Sequence, residues 1–335
     1  MRTGKSYKLS EFLIWTRRNI YWQLLLGIIP TTLYQLFHFS WLAIPWTVVA
    51  MLGSATAFII GFKNQETYNR TWEARKIWGA TISASRSWAI MCRDHLDNKE
   101  KIQELIYRQL AWLTALRYQL RSPRDWENAG KPYNREFKKY YSVPEETVPL
   151  KQELEKYISP KEIKDIIPTN NPATQLLGIQ GSTLKKLHND GSIDEFNFLG
   201  MHTVLREFSD HQGKNERIKN FPYPRQYATI STLFVKLFCI LLPFGMLEDF
   251  DQLNDKVDGF LYGNMVWLVI PFSMLISWVF TSLEQVGEGT ENPFEGSAND
   301  VPLSQMSRAV EIDIRQLLGE TVLPPPLLPK NSIVL

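Results

Sequence analysis

The sequence predicts an all-α protein that sits in a membrane and carries a large helical part in water. Three observations predict this class. Residues Asn19 to Phe62 contain no Lys, Arg, Asp or Glu, a run of about 44 residues, roughly twice the length one helix needs to span a bilayer. Tyr262 to Leu283 is a second charge-free run of spanning length, and Ala228 to Leu247 is a third apolar block with one charge inside it, Lys236. The remainder is polar, charged and helically patterned, so the mean hydropathy of -0.21 averages two unlike kinds of chain.

The elements follow in order. The first apolar run breaks once, at HFSWLAIPW near residues 38–46, where a proline and two tryptophans suit a tight hairpin at a membrane interface. Helix one therefore covers about 20–37 and helix two about 44–62. Between Phe62 and Gly79 there is neither proline nor glycine, so helix two is expected to leave the membrane unbroken. Glu66 and Arg70, four apart, support that continuation. Residues 99–121 place Ile102, Leu105, Ile106, Leu110, Leu113 and Leu116 at helical spacing. Residues 123–147 read as loop. Two short helices at 148–158 and 160–167 and two longer ones, Asn170–Asn189 and Ile193–His211, come next. Helix three covers about 228–247 and helix four about 262–283. Residues 284–335 form a C-terminal segment whose end, LPPPLLPKNSIVL, reads as an extended tail on the surface or disordered. There is no internal repeat.

Flanking charge sets orientation. Arg2, Lys5, Lys8, Arg17 and Arg18 precede helix one, and Lys63, Arg70, Arg75 and Lys76 follow helix two. The loop EDFDQLNDKVD between helices three and four is acidic. The positive-inside rule then puts both termini and 63–225 in the cytoplasm. A cleaved signal peptide does not fit the N-terminus, because the apolar run is too long and follows about 18 basic-flavoured residues.

Several chemistries find no support. A net charge of +2 makes no case for nucleic acid. Cys92 and Cys239 are far apart, without a CxxC, and read as inert buried thiols. The five histidines have no metal-binding spacing, so neither metal nor cofactor is expected. GIQGSTLKK at 178–186 lacks the spacing and lysine position of a phosphate loop, and no nucleophile–base pair or paired carboxylates stand out. An enzyme is not expected.

Helix two carries two stripes. Gly53, Ala57 and Gly61 are four apart and form a smooth one, which lets membrane helices approach closely. Ser54, Phe58 and Phe62 form the adjacent one. Ordinary packing inside a four-helix bundle accounts for this pattern. So does a symmetric oligomer in which Phe58 and Phe62 of every subunit ring an axis, a hydrophobic constriction able to gate by dewetting. Lys236 inside helix three is a functional candidate by its location. Its plainer readings are snorkelling to the interface or pairing with Glu284 at the facing end of helix four.

Four blocks then match something known. GFKNQETYNRTWEARKIWG (61–79) resembles the signature segment of the bestrophin family, in its bacterial branch. GKNERIKNFPYPRQY (213–227), LLPFG (241–245) and ENPFEGSANDVPL (291–303) resemble further segments of that branch, in the same order over almost the whole chain. The motif positions are Asn64, Arg70, Trp72, Glu73, Arg75, Asn292, Pro293 and Phe294.

The resemblance implies an ion channel: a pentamer around one central pore, with four membrane helices and a helical cytosolic domain per subunit. It implies that the second helix lines a narrow hydrophobic neck and continues into the cytosol. By position the neck falls on Ser54, Phe58 and Phe62; Ser54 departs from the larger apolar residue usual there. A second constriction at the cytosolic exit lands on Phe196 in a gapless alignment back from Gly213, with Phe198 and Leu199 adjacent. Animal members bind calcium through an acidic cluster after Asn-Pro-Phe. Here GSAND has Ser297 where an acid would sit and keeps only Asp300, so no calcium clasp is expected.

The expected partners are a bacterial inner membrane, further copies of the chain and small monovalent ions. Phenylalanine edges turned to a pore favour anions and faces favour cations. The broader family assignment is an anion such as chloride. The alternatives are a monovalent cation (sodium) channel of the same architecture, or a membrane-anchored scaffold that binds a soluble partner without conducting.

Overall fold

The computed structural model describes residues 1–259 and 262–335. Among these, regular structure is helical, apart from isolated antiparallel bridges joining Arg2 and Lys330 to Ile333. Helix α1 spans Leu9–Phe37, α2 Trp46–His95, α3 Lys99–Arg121, α4 Pro132–Phe137, α5 Pro144–Thr147, α6 Leu150–Leu154, α7 Pro160–Ile166, α8 Pro172–Asn189, α9 Glu195–Asn220, α10 Arg225–Gln252, α11 Val269–Glu288 and α12 Leu303–Leu317.

The molecule has an apolar end and a water-facing end joined by α2. At the apolar end α10 and α11 pack on each other and on α2, while α1 packs on α10 and α11 from the side away from α2. Close approach rests on glycine. A Cβ on Gly53 of α2 would sit 2.7 Å from the Phe238 ring of α10, and one on Gly245 of α10 would sit 2.7 Å from Val49 of α2. The smooth stripe is thus used within the chain only at its outer end; Gly61 has open space where its Cβ would be.

The water-facing end is one core built from the second half of α2 with α3, α8, α9 and α12. Trp78, Trp88, Trp112 and Phe208 are its large, fully buried side chains. Two of the three indoles are matched: Trp88 Nε1 donates to the Leu105 carbonyl at 3.3 Å and Trp112 Nε1 to Gln212 Oε1 at 2.9 Å, while Trp78 Nε1 is buried without a partner among the described residues. Helix starts carry caps, with Asn98, Ser159, Asn171 and Asp194 accepting from the first-turn amides of α3, α7, α8 and α9.

The structure departs from the sequence reading at several elements; the α-helix expected at 262–283 is Val269–Glu288, and the one expected at 148–158 is Leu150–Leu154. Helix α1 starts at Leu9, well before the apolar run, and its first turns are packed: Trp278 Nε1 donates to Thr16 Oγ1 at 2.9 Å, Phe12 meets the Trp278 ring and Trp15 the Tyr133 ring. The loop expected at 123–147 contains α4 and α5, each opened by a proline in its first turn. Helix α9 runs to Asn220 rather than His211 and stops where Pro222 and Pro224 forbid continuation. A helix, α12, lies within the C-terminal segment. The tail does run without regular structure from 321 to 329, but its end is docked. Ile333, Val334 and Leu335 are buried, Ile333 and Leu335 packing with Tyr141, Val143 and Ala298.

Among the described residues, three helices are long and apolar enough to cross a membrane: Ser40–His95, Arg225–Lys256 and Met265–Glu288. Helix α1 is not among them. Its apolar half is diluted by Asn19, Gln23, Thr31, Thr32 and Gln35.

Candidate functional site

Helix α2 is 50 residues long, about 75 Å at the rise of an α-helix, and contains no proline. Its inward face is set in the apolar half by Val49, Gly53, Thr56, Ile60 and Lys63, all buried. The opposite face carries Met51, Ser54, Phe58 and Phe62, exposed along one line. Phe58 is 68% and Phe62 59% exposed, the reverse of what a water-soluble chain does with phenylalanine. Their rings meet edge to face, with centroids 4.5 Å apart and planes at 87°.

What aims that face is a buried ion pair absent from the sequence reading. Lys63 directly follows Phe62, yet it points the other way and is 2% exposed. Its Nζ donates to Glu284 Oε1 of α11 at 2.6 Å. Glu284, 6% exposed, also accepts from Ser231 Oγ at 2.6 Å and Thr232 Oγ1 at 2.7 Å, both on α10. One carboxylate thus ties α2, α10 and α11 together. Glu284 was expected to meet Lys236 if it paired at all. The structure gives it to Lys63, and Lys236 stays exposed with no ion pair among the described residues. The i,i+3 and i,i+4 pattern along one helix could not reveal a pair that joins residues 221 positions apart.

The motif residues divide into struts and an exposed aromatic group. Asn64 Nδ2 donates to the Leu283 carbonyl at 3.1 Å and lies against Gly287. Arg70 turns away from Glu66, its expected partner, and donates to the carbonyls of Ile218 and Phe221 at the end of α9. Glu73 pairs with Arg217 of α9 at 2.6 Å. Trp72 is exposed, parallel to Tyr68 at 6.4 Å, with the Arg75 guanidinium 6.0 Å from its ring. Glu66 is exposed and unpaired among the described residues, one turn beyond Phe62 on the same side. Phe196, in the first turn of α9, is 88% exposed; Leu199 is exposed too, while Phe198 stacks on His188 at 4.6 Å.

The Asn292–Pro293–Phe294 segment is structural. Phe294 is buried in the main core, the Pro293 carbonyl accepts from Val301 N at 3.1 Å, and Asn292 Nδ2 reaches Glu295 Oε2 at 3.4 Å. The loop is closed by an arginine. Arg121 Nη1 lies 3.1 Å from Asp300 Oδ2 and its Nη2 donates to the Val301 carbonyl at 3.1 Å. Asp300 also accepts from Gly296 N at 2.7 Å and from Ser297 Oγ. Burial, and then the charge of Asp300, pushes Glu295 up to about 8, while it accepts from Asn128 N at 2.7 Å. Among the described residues no group of three or more His, Cys, Asp or Glu is placed to hold a metal ion. Cys92 is buried, which raises its thiol well above the usual value, and residues 178–186 lie inside α8, not in a loop.

Comparisons with known proteins agree with this geometry. The family profile described as Bacterial/Fungal Bestrophin protein matches residues 17–316. The chain is similar to the voltage-dependent anion channel-forming protein YneE of Escherichia coli (strain K12), with 28% identity over 94% of this chain and 95% of that one. It is similar to the voltage-dependent anion channel-forming protein RSc3414 of Ralstonia nicotianae, with 28% identity over 91% and 92%. In fold it resembles a crystal structure of a bacterial bestrophin homolog from Klebsiella pneumoniae, at a TM-score of 0.76 and 23% identity, over 91% of this chain and 99% of that one.

Proposed function

Since the chain belongs to the family of bacterial and fungal bestrophin proteins, we propose that it is an anion channel, five copies assembling around one central pore lined by α2. The observation that carries this reading is the exposed line Ser54, Phe58 and Phe62 on a helix whose other face is pinned by Lys63 and Glu284. In the proposed assembly Phe58 and Phe62 ring the axis as a hydrophobic neck, with Ser54 widening its outer mouth and Phe196 at the cytosolic aperture. Asn64, Arg70 and Glu73 brace the emerging α2, and Asn292, Pro293 and Phe294 anchor the segment behind it. Trp72 and Arg75 lie on the exposed side, open to a neighbouring copy.

Four membrane crossings belong to the proposal. Helix α1 buries Thr16, Gln23, Gly27 and Thr31 and exposes Trp22, Leu24, Leu25, Ile28 and Ile29, polar inside and apolar outside, the arrangement a bilayer favours. With Arg17, Arg18 and the lysines and arginines past helix two on one side, both termini face the cytoplasm of a bacterial inner membrane.

Anion conduction is supported by the names of the relatives and by ring geometry, and chloride is the anion proposed. Perpendicular rings cannot both turn a face to a shared axis, so at least one presents its positive edge. One observation favours cations instead: five copies of the unpaired Glu66 would gather beneath the neck. The test is planar-bilayer recording of purified protein under a salt gradient, on protein whose detergent-corrected mass equals five subunits. Reversal near the chloride potential supports the proposal, and reversal near the cation potential moves it to a sodium-type channel. A monomer or dimer refutes the central pore. Silent pentamers leave a scaffold.

A further inference from the structure

A cavity of about 670 Å³ lies between α1, α10 and α11, roofed by Lys131 and Tyr133 from the segment before and within α4. No residue of α2 lines it, so the phenylalanine face is not part of it. Its apolar wall includes Trp22, Leu26, Val235 and Ile240. Trp22 lies one turn beyond Arg17 and Arg18, where aromatic residues mark a membrane–water boundary. The cavity therefore spans the level where acyl chain meets headgroup.

Its lining holds two lysines and two glutamates, and both glutamates are already engaged. Glu284 is taken by Lys63 at 2.6 Å, and Glu288 by Lys131 at 2.8 Å and by the Tyr133 hydroxyl at 2.5 Å. Lys236 is left over, a cation inside a membrane helix with no carboxylate partner among the described residues. A second group is also unmatched. Gln23, 4% exposed, donates Nε2 to Thr281 Oγ1 at 2.7 Å, but its amide oxygen is buried without a hydrogen-bond partner. An unpaired cation, an unfilled buried acceptor and an apolar wall at headgroup level describe one kind of occupant.

We propose that this cavity binds an anionic phospholipid whose headgroup carries hydroxyls, of the phosphatidylglycerol type, with Lys236 holding the phosphate and Gln23 accepting from a hydroxyl. The apolar wall takes the acyl chain. Basic pockets between membrane helices on the cytoplasmic side hold anionic headgroups by the same physics. The inference rests on membrane insertion of α1, α10 and α11 and not on conduction.

Native mass spectrometry of the full-length assembly, delipidated in detergent and then titrated with phosphatidylglycerol or phosphatidylethanolamine, tests it. Wild type is expected to retain phosphatidylglycerol in preference. Lys236→Gln should weaken that retention about fivefold, and Lys236→Arg should keep it. Gln23→Leu should weaken phosphatidylglycerol and leave phosphatidic acid, which lacks the headgroup hydroxyls, unchanged. Equal retention of the two lipids, or a Lys236→Gln assembly of unchanged mass and unchanged lipid affinity, overturns the proposal. So does displacement of the lipid by soluble glycerol phosphate at matching concentration, which would make this a free-phosphate site. Cross-linking of Lys236 to a second copy of the chain also overturns it.

Discussion

Lys63→Met is the most informative single change, because it separates the pair that orients α2 from the aromatic line that the orientation exposes. Both partners are almost wholly buried, so the surface-pair value of about 0–1 kcal/mol does not apply. With Lys63 gone, Glu284 keeps the hydroxyls of Ser231 and Thr232 but no cation. A buried charge stripped of its partner costs about 3–5 kcal/mol. Replacing both residues, Lys63→Met with Glu284→Met, removes charge and counter-charge together and should return stability to within about 1 kcal/mol of wild type or above it. Glu284→Met strands Lys63 in the same way, so the two single changes should sum to about 6–10 kcal/mol and couple by about 5 kcal/mol or more. Equilibrium unfolding in mixed SDS micelles, followed by tryptophan fluorescence, measures all four corners of the cycle. A cost below about 1 kcal/mol for Lys63→Met, or a double variant equal to the sum of the singles, would refute the role assigned to the pair.

Three further outcomes are expected. Phe58→Ala with Phe62→Ala should raise single-channel conductance about twofold or more in planar bilayers, while the assembly keeps its mass; unchanged currents put the neck elsewhere. Glu66→Gln should move the reversal potential toward that of chloride, and a reversal potential indifferent to it removes Glu66 from the permeation path. The third concerns pH. The folded protein holds Glu295 near 8 against an ordinary 4.5, so the native state binds the extra proton between those values. Stability gained from that group is present at low pH and is lost as pH rises from about 4.5 to 8. Glu295→Gln should flatten the fall, read as thermal midpoint against pH; an unchanged slope assigns the dependence to other groups.

Much of the fold is legible because its determinants are local. The charge-free runs, the absence of proline and glycine after Phe62 and the spacing of Ile102 to Leu116 depend only on neighbours in the chain. They correspond to α2, α3, α10 and α11. Elements whose stability comes from distant partners were harder. Helix α1 extends to Leu9 with Phe12, Trp15 and Thr16 held by Trp278 and Tyr133, and α4 and α5 form where composition alone says loop. The final residues looked like a free tail because nothing nearby in sequence indicates Tyr141, Val143 and Ala298, the surface that buries Ile333 and Leu335.

The candidate site divides the same way. That Ser54, Phe58 and Phe62 share one side of a helix follows from period alone, and so does the adjacent line of small residues. Which side faces outward does not. It was decided by Phe238 seated on Gly53 and by Lys63 reaching Glu284, contacts between residues roughly 180 to 220 positions apart that no window of sequence contains. The same pair decided the fate of Lys236. Sequence alone placed a lysine inside a membrane helix and supplied a carboxylate at the right end of the next one. Only the packed helices could show that the carboxylate was already taken, since Lys63 is buried and Lys236 exposed, and an unpaired charge costs most where it is buried.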